Sequence, residues 1–263
     1  MDLKLKGKRA FISGSTQGIG FAIAQQLLAE AAEVVINGRD QVKLDNSLAA
    51  LKREFPDAIV SGIAADFSDK EQVTELLARL DDIDILINNV GIFELKDFTE
   101  LTDEDWYRIF QINVMSSVSL SRKLLPQMLK KNWGRIVFIS SESGVNIPED
   151  MIHYGMTKSA MMAVCNGLSK LTKGTEVTVN TILGGPTYSD GVANTIEYLA
   201  NIQNVGVEQL KIGIMQQTNP HSLIGRFINP AEIAHLVTYL SSPLSLATNG
   251  ASIRADGGVL KIL

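Results

Sequence analysis

Tyr154-Gly155-Met156-Thr157-Lys158 sets a phenol and an ammonium four residues apart within a stretch of helical periodicity. Residues four apart share one face of a helix, so the two groups point into the same space. A phenol ordinarily titrates near pH 10. A cation about 4 Å away, at an effective dielectric of about 20, is worth about 4 kcal/mol and would lower it by nearly three units. A tyrosine tuned in this way can trade a proton with an oxygen. That is what a carbonyl/alcohol pair needs when hydride arrives at or leaves its carbon, together with donors aimed at the oxygen. Ser141, thirteen residues upstream at the end of the apolar run Ile139-Ser140-Ser141, can supply such a donor. Its other reading is a strand-end turn serine. Asn113 falls inside a helical stretch, where an asparagine without a task only costs propensity.

A second constellation lies near the amino terminus. Ser13-Gly14-Ser15-Thr16-Gln17-Gly18-Ile19-Gly20 follows one apolar run and opens a helical one. Glycines serve where a backbone turns tightly or must approach a pyrophosphate, and the helix start offers free N–H groups to the anion. The next apolar run ends in Asn37-Gly38-Arg39. An NAD site places an acid there for the ribose 2′-hydroxyl; Gly38 supplies none, and the Arg39 guanidinium can grip a 2′-phosphate. NADP is therefore expected, and NAD is the less favoured cofactor. Asn37, Ser15 and Thr16 are candidate further donors to that phosphate, and Arg39 otherwise reads as a solvated turn residue.

Taken together these motifs resemble the short-chain dehydrogenase/reductase family, from Arg9 to the Asp256-Gly257-Gly258 that follows the last apolar run. The resemblance rests on the Gly14, Gly18 and Gly20 spacing and on the Ser141, Tyr154 and Lys158 set. It implies that Ser141 orients the carbonyl, that Asn113 completes a proton relay through water, and that Tyr154 and Lys158 also touch the cofactor. Asp66 and Phe67 resemble the pair that meets adenine, although Asp66 reads equally as a helix cap. Asn89, Val90 and Gly91 resemble the family's Asn-Ala-Gly loop, with Val90 adding bulk. Leu183-Gly184-Gly185-Pro186-Thr187 carries its proline two places later than usual, and Gly185 with Thr187 is expected to hold the nicotinamide end. Assembly as a homodimer or homotetramer through the long helices is implied as well. The substrate is expected to be a small carbonyl or alcohol. A 3-oxoacyl-thioester (acyl-carrier-protein) reductase is the alternative substrate class, and a catalytically silent NADP-binding sensor or scaffold is the alternative of another kind.

Other residues bound these readings. Glu142 is expected to face solvent; turned inward, it would admit cationic substrates. His153 is expected to line the pocket with Phe93, Met151 and Ile152, since no Gly-x-Ser-x-Gly elbow makes a hydrolase of Ser141. No spacing of His and carboxylates suits a metal, so no metal is expected.

Positioning such groups calls for an open parallel sheet. Seven Val- and Ile-rich runs, at 9–13, 33–37, 59–64, 83–88, 135–140, 176–183 and 251–254, alternate with amphipathic stretches at 18–31, 41–55, 69–80, 102–130, 152–173 and 230–240. This rhythm predicts an α/β fold: a single-domain doubly wound (Rossmann) chain over 1–263, with a seven-stranded parallel sheet between two helical layers. Residues 186–226 break the rhythm with two weak helical stretches and are expected to form a substrate lid over the carboxyl edge. With 263 residues, 45% of them hydrophobic, the chain can bury a core, and a net charge of −5 argues against nucleic acid as a partner. Neither a secretory leader nor an 18-residue apolar run is present, and a lone cysteine, Cys165, fits a reducing compartment, so a cytoplasmic, membrane-free protein is expected.

Overall fold

A computed structural model describes residues 2–261; Met1, Ile262 and Leu263 of the expected domain lie outside the described residues. Seven parallel strands form one sheet in the order β3-β2-β1-β4-β5-β6-β7. They are β1 (Arg9–Ile12), β2 (Glu33–Gly38), β3 (Val60–Ala64), β4 (Ile85–Asn88), β5 (Trp133–Ser141), β6 (Glu176–Gly184) and β7 (Ser252–Ala255). The order reverses between β1 and β4, and ligands of open α/β sheets bind at such a switch, beyond the strands' carboxyl ends.

The strands are apolar on both faces because both faces are covered. Ile12, Ile36, Ile87, Val137 and Ile182 turn toward α1 (Gly18–Ala29), α2 (Gln41–Glu54) and, later in the chain, Pro230–Ser241. Their neighbours Phe11, Val35, Leu86, Phe138 and Val179 turn the other way. There they meet α3 (Lys70–Arg79) and the two long helical segments of the middle of the chain. Side chains alternate between the two faces, and because both faces are covered each strand reads as the continuous apolar run that the sequence displays. Local chemistry sets the helix starts. Asp69 accepts from the N–H groups of Glu71 and Gln72, and both Thr102 with Asp105 and Asn229 with Glu232 form capping boxes.

The expected helix over 102–130 is three pieces. They are α4 (Asp103–Phe110), a π-helical turn (Gln111–Met115) and α5 (Ser116–Lys130), followed after β5 by α6 (Ile152–Lys170). A π turn widens a helix by one residue, and such turns recur at functional sites; this one holds Asn113. Beyond β6, residues 186–226 form α7 (Asp190–Gln203) and α8 (Val207–Thr218), and α9 (Pro230–Ser241) completes the fold. Among the described residues no helix is long and apolar enough to cross a membrane.

Candidate active site

Three elements converge beyond the carboxyl end of β5. Ser141 is its last residue, a short 3-10 turn (Glu142–Gly144) follows, and α6 packs against that turn. The approach is at backbone range. A Cβ on Gly144 would lie 2.9 Å from the Lys158 carbonyl carbon, and one on Gly155 would lie 2.7 Å from the Ser143 carbonyl oxygen. Gly155, between Tyr154 and Lys158, is what lets the helix sit this close. Two bonds then lock the lysine turn: Ser140 Oγ donates to the Lys158 carbonyl at 2.9 Å, and Lys158 Nζ donates to the Ile139 carbonyl at 3.0 Å.

Asn113 is fully buried and ties a third element in. Its Oδ1 accepts from Ile92 N–H at 2.8 Å; its Nδ2 donates to the Ile92 carbonyl at 2.9 Å and to Thr157 Oγ1 at 3.0 Å. Thr157 Oγ1 in turn donates to the Tyr154 carbonyl. The asparagine thus joins the loop after β4 to the turn of α6 that carries Tyr154. Both of its amide protons are used, so the side chain positions that turn instead of offering a donor to a relay.

The electrostatics differ from the sequence expectation. Tyr154 is held above its ordinary value of 10, first by burial and then by the negative Glu142, with a hydrogen bond from Ser141 opposing. Burial lowers Lys158 to about 8, and Glu142 pulls it back up. The simple picture of an ammonium depressing a phenol fails because the ammonium is bonded to Ile139, 5.4 Å from the centre of the Tyr154 ring, and is itself destabilised. Glu142 does not face solvent. Its Oε2 accepts from Ser141 Oγ at 2.5 Å and its Oε1 from Ser143 Oγ at 3.2 Å. His153 does not line the cleft: it is wholly buried, edge-on to Trp106 at 6.0 Å, and burial lowers its pKa. Of the expected lining, Phe93 does face the cleft, 6.3 Å from the Tyr154 ring, whereas Met151 and Ile152 do not line it.

The other end of the cleft is built by the turn after β1. Gly14 and Gly18 both take φ of +61°, the left-handed region that favours glycine, and a Cβ on Gly20 would lie 2.5 Å from Asn89 Nδ2. Ser13 Oγ accepts from the N–H groups of Asn89 and Val90, while Asn89 Nδ2 donates to the Ser13 and Gly14 carbonyls. Gly91 abuts Lys158 and Asn113, with a Cβ built there 3.4 Å from Nζ. Ile19 lies half-buried on the cleft wall.

Two expected phosphate donors are spent on this turn. Asn37 is 1% exposed, its Oδ1 accepting from Gly14 N–H and its Nδ2 donating to the Ile63 and Ala65 carbonyls. Ser15 Oγ donates to the Ile12 carbonyl and accepts from Asn37 N–H. Buried polar groups must be paired, and here each pairs with the fold. Thr16 and Arg39 remain. Arg39 is exposed and has no hydrogen bond or ion pair among the described residues. Thr16 Cγ2 would lie 2.5 Å from any Cβ on Gly38, so this site has no room for a side chain where an acid would stand. Asp66 Oδ1 accepts from Ser68 N–H and Oγ, the local bonds of a turn, and the Phe67 side chain is buried in the core. Only the backbone of Phe67 could meet a ligand.

Where the sequence reading expects the nicotinamide, a Cβ on Gly185 would lie 2.6 Å from the Asp256 carbonyl oxygen, and Thr187 Oγ1 donates to the Gly185 carbonyl. The sequence reading missed Asp190. Its Oδ2 accepts from Gly18 N–H at 2.5 Å, linking the first residue of α7 to the glycine turn across 172 positions. The glycine turn shares with Ser141, Tyr154 and Lys158 one cleft of about 350 Å³, walled also by Ile19, Val90 and Thr187. Among the described residues no group of three or more His, Cys, Asp or Glu could hold a metal ion.

Comparison with known proteins accords with this geometry. The family model described as short chain dehydrogenase matches residues 8–199. Two proteins of Bacillus subtilis (strain 168), the uncharacterized oxidoreductases YvaG and YvrD, are each 42% identical; YvaG aligns over 99% of both chains and YvrD over 100%. Among solved structures, L-sorbose reductase from Gluconobacter frateurii, complexed with NADPH and L-sorbose, superposes with a TM-score of 0.93 at 29% identity over the full length of both chains.

Proposed function

The chain belongs to the short-chain dehydrogenase family of oxidoreductases, and from that premise we propose that it interconverts a carbonyl compound and its alcohol with NADP, using Tyr154 as the proton donor and acceptor. One observation carries the reading: Ser141, Tyr154 and Lys158 open on the same cleft as the glycine turn. At neutral pH a phenol above its ordinary value keeps its proton. It is therefore set to protonate an oxygen that gains charge as the carbonyl π pair moves onto it, and the alkoxide so formed is the stronger base. In the reverse direction Tyr154 must first become a phenolate, and the hydrogen bond from Ser141 is what favours it. Ser141 holds the same oxygen, and Asn113 is a positioning residue that keeps the tyrosine turn in place.

The residues present suit a nicotinamide dinucleotide. Gly14 and Gly18 shape the turn, the start of α1 would hold the pyrophosphate, and Gly91, Gly185 and Thr187 would hold the nicotinamide end. When bound, this group supplies or takes the hydride. Gly38, crowded by Thr16, excludes the acid that would read a 2′-hydroxyl, and the unpaired Arg39 suits a 2′-phosphate. The NADPH carried by the L-sorbose reductase supports the same choice. On this reading 186–226 closes over the substrate, and the exposed Tyr107 and Phe110 mark α4 as part of a dimer or tetramer contact.

The test follows reduced-nicotinamide absorbance over a panel of ketones, hydroxy ketones and 3-oxoacyl thioesters, with NADPH and NADH in parallel. Expected is a kcat/KM at least about tenfold higher with NADPH, with most of that margin lost in Arg39→Ala, the size of a charge-assisted bond to phosphate. NADH at least as good as NADPH throughout would overturn the cofactor assignment. A protein that binds NADPH yet turns over nothing in the panel would overturn the enzyme.

A further inference from the structure

Glu142 stands beside the chemical end of the cleft with its carboxylate bonded to Ser141, and it competes for the proton Ser141 needs. A serine hydroxyl owns one proton and two lone pairs. In this site the Ser141 proton goes to Glu142 Oε2 at 2.5 Å, while Ser141 Oγ accepts from Ser143 N–H at 3.1 Å. A carboxylate is a stronger acceptor than a carbonyl oxygen. Ser141 therefore presents lone pairs, not a donor, to any carbonyl that enters, until something else satisfies Glu142. The Glu142 carboxyl is itself raised by burial and held back by its bonds from Ser141 and Ser143, and its field raises both Tyr154 and Lys158.

We propose that Glu142 is a specificity-determining residue that accepts a hydrogen bond from a hydroxyl on the carbon next to the reacting one, so that the preferred substrates are α-hydroxy carbonyl compounds and the matching vicinal diols. This rests on the carbonyl/alcohol reading above. Two oxygens on adjacent carbons lie about one hydrogen-bond length apart, roughly 3 Å, and Ser141 Oγ and Glu142 Oε2 form a pair of similar spacing. One substrate oxygen then meets Ser141 and the other meets Glu142. The substrate hydroxyl donates to the carboxylate, and the Ser141 proton is released to the carbonyl oxygen. A plain ketone brings no donor, so gripping it with Ser141 leaves a buried carboxylate short of a partner. A neutral hydroxyl suits the place better than an ammonium, because Lys158 already puts a positive charge beside it and the oxidised cofactor adds another.

The experiment takes the ketone skeleton that ranks first in the panel and compares its α-hydroxy, α-methoxy, α-amino and unsubstituted forms with NADPH. The methoxy form keeps the inductive effect of oxygen and removes the donor. In the wild type kcat/KM is expected to favour hydroxy over methoxy by about tenfold or more, the gain of one hydrogen bond to a charged acceptor. In Glu142→Gln and Glu142→Leu that ratio falls below about threefold, through loss on the hydroxy ketone, while Glu142→Asp keeps part of it. NADPH affinity of each variant reports whether it is folded. A wild-type ratio near one, or a ratio undiminished in both Glu142→Gln and Glu142→Leu, overturns the inference and leaves the carbonyl/alcohol reading standing. An α-amino form preferred over the α-hydroxy form assigns Glu142 to a cation and overturns it too. Turnover of no ketone by a protein that binds NADPH removes the parent reading and this one with it.

Discussion

Around the glycine turn the polar side chains bond to one another and to the strand ends. Asn37, Asn89, Ser13 and Ser15 are spent on the glycine turn and the strand ends beside it, and little but Thr16 and Arg39 is left facing outward. At the chemical end the opposite holds. Tyr154 and Glu142 are pushed up, Lys158 is pushed down to about 8, and Ser141 shares its proton with a neighbour that competes for it. One end is a satisfied scaffold, which on the proposed reading would meet an anion at the start of α1. The other is a set of charges held under strain, where burial raises the energy of ions that a bound substrate or cofactor can relieve. Perturbed titration of this kind concentrates at sites that do chemistry.

The largest expected effect tests the strained end directly. Tyr154→Phe removes the proton and little else, so turnover should fall by about 10² to 10⁴, the range of general acid catalysis. NADPH binding should stay within a few-fold, because the scaffold end is untouched. Activity within about tenfold of wild type would place the proton elsewhere, and a silent NADP-binding sensor would keep its output.

The second prediction sets the two ends against each other in stability, read by urea unfolding without ligand. Asn37→Ala leaves Gly14 N–H and the Ile63 and Ala65 carbonyls without their partner and should cost about 3 kcal/mol. Lys158→Met should act in the opposite sense. The folded pKa of about 8 lies below the ordinary 10.5, so the fold binds the lysine proton less well than the open chain does. That penalty is present in full below pH 8 and fades as the pH rises through 10.5; it is worth about 3 kcal/mol. Part of the gain is lost with the bond to the Ile139 carbonyl, which leaves about 1–2 kcal/mol of added stability at pH 7, shrinking as the pH rises above 8. If both variants destabilise equally, the contrast between the two ends is not electrostatic.

The same contrast explains what could be read from the sequence. Apolar runs and helix periods gave the sheet, because an unbroken buried run such as β5 or β6 reports two covered faces whatever the rest of the chain does. Tyr154 and Lys158 were legible because four residues on a helix fix their separation locally. The side chains of Asn37, Ser15 and Phe67 turn to the fold for one reason: a residue just beyond a strand faces either the cleft or the fold, and only the neighbouring elements decide. Asn37 is settled by Ile63 and Ala65 of β3 and its sequel. Glu142 turned inward because the tight seat of Gly144 against Lys158 and of Gly155 against Ser143 draws the turn onto α6. His153 went to Trp106, which stands 47 positions away in sequence. None of these distances is written in a local pattern.

Asp190 is where the two ends meet, and it carries the smallest expected effect. Its carboxylate, at the start of α7, takes the Gly18 N–H that a pyrophosphate would be offered. If 186–226 is the proposed lid and the start of α1 the pyrophosphate site, lid and anion compete for one donor, and the cofactor would have to displace the acid. Asp190→Asn keeps the shape and removes the charge. NADPH should then bind about two- to fivefold more tightly, with the margin widest at low ionic strength, as for a single exposed charge interaction. Weaker binding in the variant would mean that Asp190 steadies the lid over the cofactor instead of contesting its place. In that case α7 belongs to the satisfied scaffold and not to the strained end of the cleft.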